Sequence, residues 1–262
     1  PFSEYQRPRG FHPDDGFRVF QTDITTLAGE SAAIQASLQR LLGASMEPST
    51  LEEVSNAWGG YMDDGDWDRR SNHLTATSLQ LELLRLFPDY FAELKLNLPS
   101  DEAGNALPDV LDEALFNLDF YRRLQQADGG VRGGIESTAH PMKGSMSWQE
   151  PLLVGVFAPD ALSSFRYAAT AAQAAQVLAD TDPAKADDYR RSGLKAWQWA
   201  TTHMDEDLAN VPAKKHKQIK REFNAAKLHA AAELFTLTHE PAYHDAYRRW
   251  LTEIEAGGDD PR

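Results

Sequence analysis

The 262-residue chain contains no cysteine. Disulfides, thiolate metal sites and a cysteine nucleophile are thereby excluded, and the redox compartment stays unread. No apolar run approaches the roughly 20 residues that a membrane span needs. The start, Pro1-Phe2-Ser3-Glu4-Tyr5, has neither the basic nor the apolar stretch of a signal peptide. Basic residues are in deficit, with 26 Lys and Arg against 40 Asp and Glu and a formal net charge of -14. That field repels phosphate backbones and anionic lipid, so neither nucleic acid nor membrane is an expected partner. Neutral ligands, cations or sugars fit the charge better. Sustained strand alternation and low-complexity linkers are also missing, so the expectation is one all-α domain over residues 1–262.

What is present is helical periodicity. Ile24, Leu27, Ala28, Ile34, Leu38 and Leu41 recur at three- and four-residue steps, which predicts a helix over Thr22–Leu42. A second is predicted over Arg69–Phe87. The third starts at Pro108, with Asp109 and Asp112 at its positive end and Leu111, Leu115, Leu118 and Leu124 as its apolar stripe, and Gly129-Gly130 ends it. Further helices are expected over Ser163–Leu178, Pro183–Thr202, Lys217–Leu237 and Pro241–Ile254. The alanine-rich stretch from Ala168 to Ala175 permits close helix packing, and Trp197 and Trp199 read as core or helix-contact residues. The basic run from Lys214 to Lys217 reads as a solvated connection before a helix. Val131–Ala161 is the long irregular segment, and such loops are often functional.

The richest stretch is Trp58-Gly59-Gly60-Tyr61-Met62-Asp63-Asp64-Gly65-Asp66-Trp67-Asp68-Arg69-Arg70, in which Asp63, Asp64, Asp66 and Asp68 crowd beside glycines and aromatic rings. Like charges this close raise the pKa of a partly desolvated member, which suits a carboxylate that deprotonates water. Flat aromatic faces match the C–H faces of pyranose rings. Helix-capping aspartates on a solvated loop are an equally open reading. A calcium loop fails the EF-hand spacing, because Gly65 stands where a ligand belongs. Arg69 and Arg70 are expected to open the following helix, and pairing with Asp64 or Asp68 and a plain surface role are equally open readings for them.

This stretch resembles the signature of glycoside hydrolase family nine, Gly-Gly-(Trp/Tyr)-x-Asp-Ala-Gly-Asp, with Asp64 in place of the alanine. Leu86-Phe87-Pro88, Leu107-Pro108-Asp109-Val110-Leu111-Asp112-Glu113, Asp128-Gly129-Gly130-Val131 and Ala230-Ala231-Ala232-Glu233-Leu234-Phe235-Thr236-Leu237-Thr238 resemble later family stretches in the same order. The resemblance implies an (α/α)6 barrel, incomplete in this chain and cut before its C-terminal helices. It implies hydrolysis of β-1,4 bonds in cellulose or related β-glucans with inversion, Asp66 acting as general base on water and Asp63 as its partner. The acid glutamate is expected beyond Arg262; Glu150 and Glu233 are the substitutes within the chain, and mid-helix Glu233 reads as structural.

Tyr61, Trp67, His140 and Trp148 are the expected substrate-binding residues, the last two in a segment similar to a cleft loop of the family. Of Trp58 and Trp67, one is expected in the core and the other in the cleft wall. No cofactor is required on this resemblance, a structural calcium ion is compatible with it, and no metal-binding residue is assigned. The expected partner is a β-glucan polysaccharide or oligosaccharide, and the expected location is secreted or periplasmic. Other readings are a family member acting on xyloglucan, glucomannan or chitosan oligosaccharides, a non-catalytic sugar-binding relative, and another α/α toroid enzyme, a polysaccharide lyase or an epimerase. Lyases act on uronates and favour a basic cleft, against which the acidic balance argues.

Overall fold

The structure, a computed structural model, describes residues 6, 9–29, 31–43, 50–100, 102, 104–140 and 152–257. Among these are eight α-helices: α1 (Ser31–Leu42), α2 (Leu74–Leu86), α3 (Pro88–Glu93), α4 (Asp109–Arg123), α5 (Ala161–Leu178), α6 (Pro183–Ala209), α7 (Ala213–Thr238) and α8 (Pro241–Ala256). The expectation of an all-α chain holds, with one small sheet added to it. Four short strands, β1 (Val19–Gln21), β2 (Trp67–Arg69), β3 (Gly134–Ser137) and β4 (Val154–Val156), form one sheet in the order β1-β4-β3-β2. They are three or four residues long, too short for alternation to register in the sequence.

The sheet corrects several boundaries. The predicted Thr22 helix begins only at Ser31, because β1 and the turns after it occupy the preceding stretch. The segment from Val131 is not irregular throughout: β3 and β4 pair antiparallel within it, and β4 runs parallel to β1. Arg69 lies in β2 and not in a helix, and α2 starts at Leu74. The third helix stops at Arg123, short of Gly129-Gly130. The run at Lys214 forms the first turn of α7 instead of a connection.

α5 is the hub of the helical layer, with 15 of its 18 residues buried, as a helix apolar on all sides must be. Its alanines admit α6 closely: a Cβ on Gly193 would stand 3.3 Å from the Ala168 carbonyl oxygen. The Tyr167 and Ser192 hydroxyls bond across the same contact at 2.8 Å. Asp160 caps α5 by accepting from Ser163 N–H at 2.7 Å, and Asp182 caps α6 ahead of Pro183. Trp197 packs edge-on to Phe165 at 5.6 Å, as expected of a helix-contact residue, while Trp199 stacks on His203 and donates to Asp128. On α2, Leu79, Leu83 and Leu86 lie 62%, 40% and 60% exposed, and Phe87 and Tyr90 continue this apolar stripe.

At the foot of α5, Asp207 accepts from Ala161 N–H at 2.6 Å. Burial and the charge of Asp160 push the Asp207 carboxyl up to about 6, against the opposing effect of that bond. A raised carboxyl pKa means that the folded state holds the proton more tightly. The stability this gives is therefore complete below the unfolded value of 3.8 and is lost as pH rises through about 6. Asp207→Asn should flatten the fall in stability between those values while keeping an acceptor for Ala161 N–H, which denaturant titrations at several pH values check.

Candidate active site

The acidic cluster folds into a tight turn whose geometry follows from its residues. Asp66 N–H donates to the Asp63 carbonyl at 3.2 Å, and Asp63 N–H donates to the Trp67 carbonyl at 2.8 Å. Both central residues have positive φ, 50° at Asp64 and 82° at Gly65. An Asp-Gly pair suits that conformation, since glycine adopts it freely and aspartate more readily than alanine. Asp64 thus fits the backbone at the place where the sequence departs from the family pattern.

The four carboxylates are sorted by the turn and by β2. Asp63 and Asp64 are exposed, whereas Asp66 and Asp68 are fully buried. Asp68 accepts from Tyr61 N–H at 2.9 Å and from the Tyr121 hydroxyl at 2.5 Å, and His73 Nδ1 lies 3.2 Å from its Oδ2. Burial alone would lower the His73 pKa; the hydrogen bond to Asp68 and the charges of Asp68 and Asp63 prevail and raise it. Asp68 is therefore a compensated structural charge, as a buried carboxylate must be. Glycine is required beside it. Gly60 has φ +87°, and a Cβ there would stand 2.9 Å from Asp68 Oδ2 and 3.0 Å from the Phe120 ring.

Pairing of β2 with β3 completes the site. Trp67 faces Glu136, Asp68 faces Ile135 and Arg69 faces Gly134. At Gly134, φ is +101° and a Cβ would fall 1.9 Å from the Asp68 carbonyl oxygen, so only glycine lets the strands approach. Ser137 N–H donates to the Asp66 carbonyl at 3.0 Å, extending the ladder to the turn. Arg69 pairs with buried Glu136, not with Asp64 or Asp68. Its guanidinium lies 4.2 Å from the Trp67 ring centre, and His73 stacks on the same indole at 5.5 Å and 19°.

The predicted residues divide as follows. Asp63 and Asp66 share one turn, and the exposed His140 brings Nδ1 to 3.3 Å from Asp66 Oδ2. Tyr61 and Trp67 border this turn half-buried, and the Tyr61 hydroxyl donates to the Glu113 carbonyl at 2.7 Å. Trp58 is also half-buried, under the Arg123 guanidinium at 3.8 Å, so neither flanking tryptophan is fully in the core. Trp148 and Glu150 lie outside the described residues. Glu233 accepts from Arg85, Gln173 and Gln176, and although burial would raise its pKa, His229, Arg85 and Gln176 prevail and lower it. Sequence reasoning missed Glu136, His73 and Tyr121. Only the lone acid within an apolar strand, Ile135-Glu136-Ser137, signalled the first. Among the described residues, no group of three or more His, Asp or Glu is arranged to hold a metal ion.

A family model described as Glycosyl hydrolase family 9 matches residues 33–259. The chain belongs to this family. The xyloglucan-specific endo-β-1,4-glucanase of Bacteroides ovatus is 41% identical over 80 residues, 30% of this chain and 13% of that protein. A crystal structure of the family 9 endoglucanase J30 superposes with a TM-score of 0.66 at 22% identity, over 82% of this chain and 40% of that one. A metagenome-derived family 9 endoglucanase gives a TM-score of 0.62 at 25% identity, over 78% of this chain and 36% of that chain. The helical layer is therefore part of an (α/α)6 barrel, and the chain spans about two fifths of the solved relatives.

Two substitutions test the turn. Asp64→Ala should cost about 1 kcal/mol of stability while Asp64→Gly should be near neutral, because only the first strains a positive-φ residue. Gly60→Ala should cost about 2 kcal/mol or more through strain and the clash with Asp68. Thermal and denaturant unfolding measure both.

Proposed function

We propose that this chain carries the water-activating half of an inverting β-1,4-glucan hydrolase, acting on cellulose or a related β-glucan. The observation that supports this is the Asp63–Asp66 turn. It carries one exposed and one buried carboxylate on the same tight turn, with His140 on the buried one. In this reading Asp66 removes the proton of the attacking water, Asp63 helps to hold that water, and His140 orients the Asp66 carboxylate. Tyr61 and Trp67 offer ring surfaces to the sugar, and Trp148 belongs to the same cleft. An inverting site needs its acid roughly 6.5–9.5 Å from the base, so that a water fits between them.

Glu233 is engaged by Arg85 and two glutamines and is unsuited to be that acid. As the family resemblance implies, we assign the acid to a glutamate of the full family domain, with Glu150 the remaining substitute within this chain; the further helices of that domain would cover the apolar stripe of α2. The xyloglucan-specific endo-β-1,4-glucanase relative supports a β-glucan as substrate. Action on a polymer places the protein outside the cytoplasm, secreted or periplasmic. A second reading, sugar binding without turnover, is favoured by the engagement of Glu233 and predicts glucan binding with no release of reducing ends.

Asp66→Ala in the protein containing this chain should lower hydrolysis of a soluble β-glucan by about a thousandfold, within the usual range for a lost general base. The melting temperature should stay nearly unchanged. Retained turnover would reject Asp66 as the base. Asp63→Ala should cost less. The chain expressed alone should self-associate through the α2 stripe, since exposed apolar patches of this kind drive association. A concentration-independent monomer by sedimentation would contradict the proposed covering by further helices.

A further inference from the structure

A cavity of about 570 Å3 opens between α6 and α8, on elements that contribute no residue to the site described above. Its floor is the buried Trp250, whose ring centre lies 5.2 Å from that of Trp197. Trp197 and Tyr243 are half-buried and stand edge to face, 5.4 Å apart at 75°. Phe165 braces both tryptophans from beneath, at 5.6 and 5.9 Å, so these rings are held rigidly before any ligand arrives. Around the aromatic wall, Gln198, Glu240 and Arg249 supply an amide, a carboxylate and a guanidinium.

This pairing of fixed aromatic faces with a mixed polar rim suits a particular chemistry. A pyranose presents apolar C–H faces to rings and a girdle of hydroxyls that both donate and accept, which matches a rim holding both donors and acceptors. A polyanion is disfavoured by the net charge of -14 and by Glu240 at the rim. We propose that the α6–α8 groove is a second saccharide site, which holds a neutral glucan chain on the outside of the barrel while hydrolysis proceeds elsewhere. The choice of a β-1,4-glucan among neutral saccharides rests on the function proposed above.

The test uses the protein containing this chain with Asp66→Asn, which prevents turnover, with 15N-labelled tryptophan and cellohexaose as the probe. The Trp197 and Trp250 indole signals should shift saturably. Gln198→Ala, at an exposed position, and Tyr243→Ala, checked for an unchanged melt, should each weaken that response about tenfold, a stacking- or hydrogen-bond-sized loss. Shifts confined to Trp58 and Trp67 would overturn the groove while leaving the β-glucan reading intact. Shifts at Trp197 and Trp250 alone would support the groove and count against the cleft. No response at either tryptophan of the groove, or a dimer that Tyr243→Ala dissociates, would overturn the saccharide site.

Discussion

The site depends on one buried charge. Asp68 carries no exposed surface, yet its carboxylate is held by a backbone N–H, a tyrosine hydroxyl and an imidazole from three separate parts of the chain. Removing any of these would leave a desolvated charge short of a partner, at a cost of several kcal/mol. Asp68 therefore ties the Gly59-Gly60 strand entry, α4 and the start of α2 to β2. The turn bearing Asp63 and Asp66 immediately precedes it and inherits that rigidity. A water-activating pair needs such support, because misplacement by about 1 Å is enough to cost much of the rate.

The second support is the pairing of β2 with β3. Its close approach at Gly134 and the Arg69–Glu136 pair fix the register that sets Trp67 opposite Glu136 and Asp68 opposite Ile135. Trp67 is held by Arg69 and His73, and His73 in turn contacts Asp68. The aromatic border and the carboxylates thus belong to one connected polar network and not to independent loop residues. Such networks hold a single arrangement only when every member finds its partner.

Much of the helical layer is legible in the sequence, for identifiable reasons. The Asp182-Pro183 start, the leucine stripe of α4 and the alanines of α5 each encode a local preference that packing reinforces. The sheet is not legible. Its strands, three or four residues long, are defined by partners on other strands and not by their own pattern, and Gly134 looks like any loop glycine until β2 lies against it. In the site, the Asp-Gly turn and its flanking carboxylates stand out by composition. What composition does not reveal is the division of labour between Asp66 and Asp68, since both are aspartates two residues apart. Only the tertiary partners Tyr121 and His73 mark Asp68 as structural.

The central claim is that Asp66 activates a water that attacks the anomeric carbon directly. The most direct measurement is the anomeric configuration of fresh product, followed by proton NMR as the protein containing this chain hydrolyses a soluble β-1,4-glucan. Direct attack by water predicts that the α-anomer appears first and then mutarotates toward equilibrium. Initial appearance of the β-anomer would require a covalent glycosyl intermediate and would contradict the assignment of Asp66 as a base.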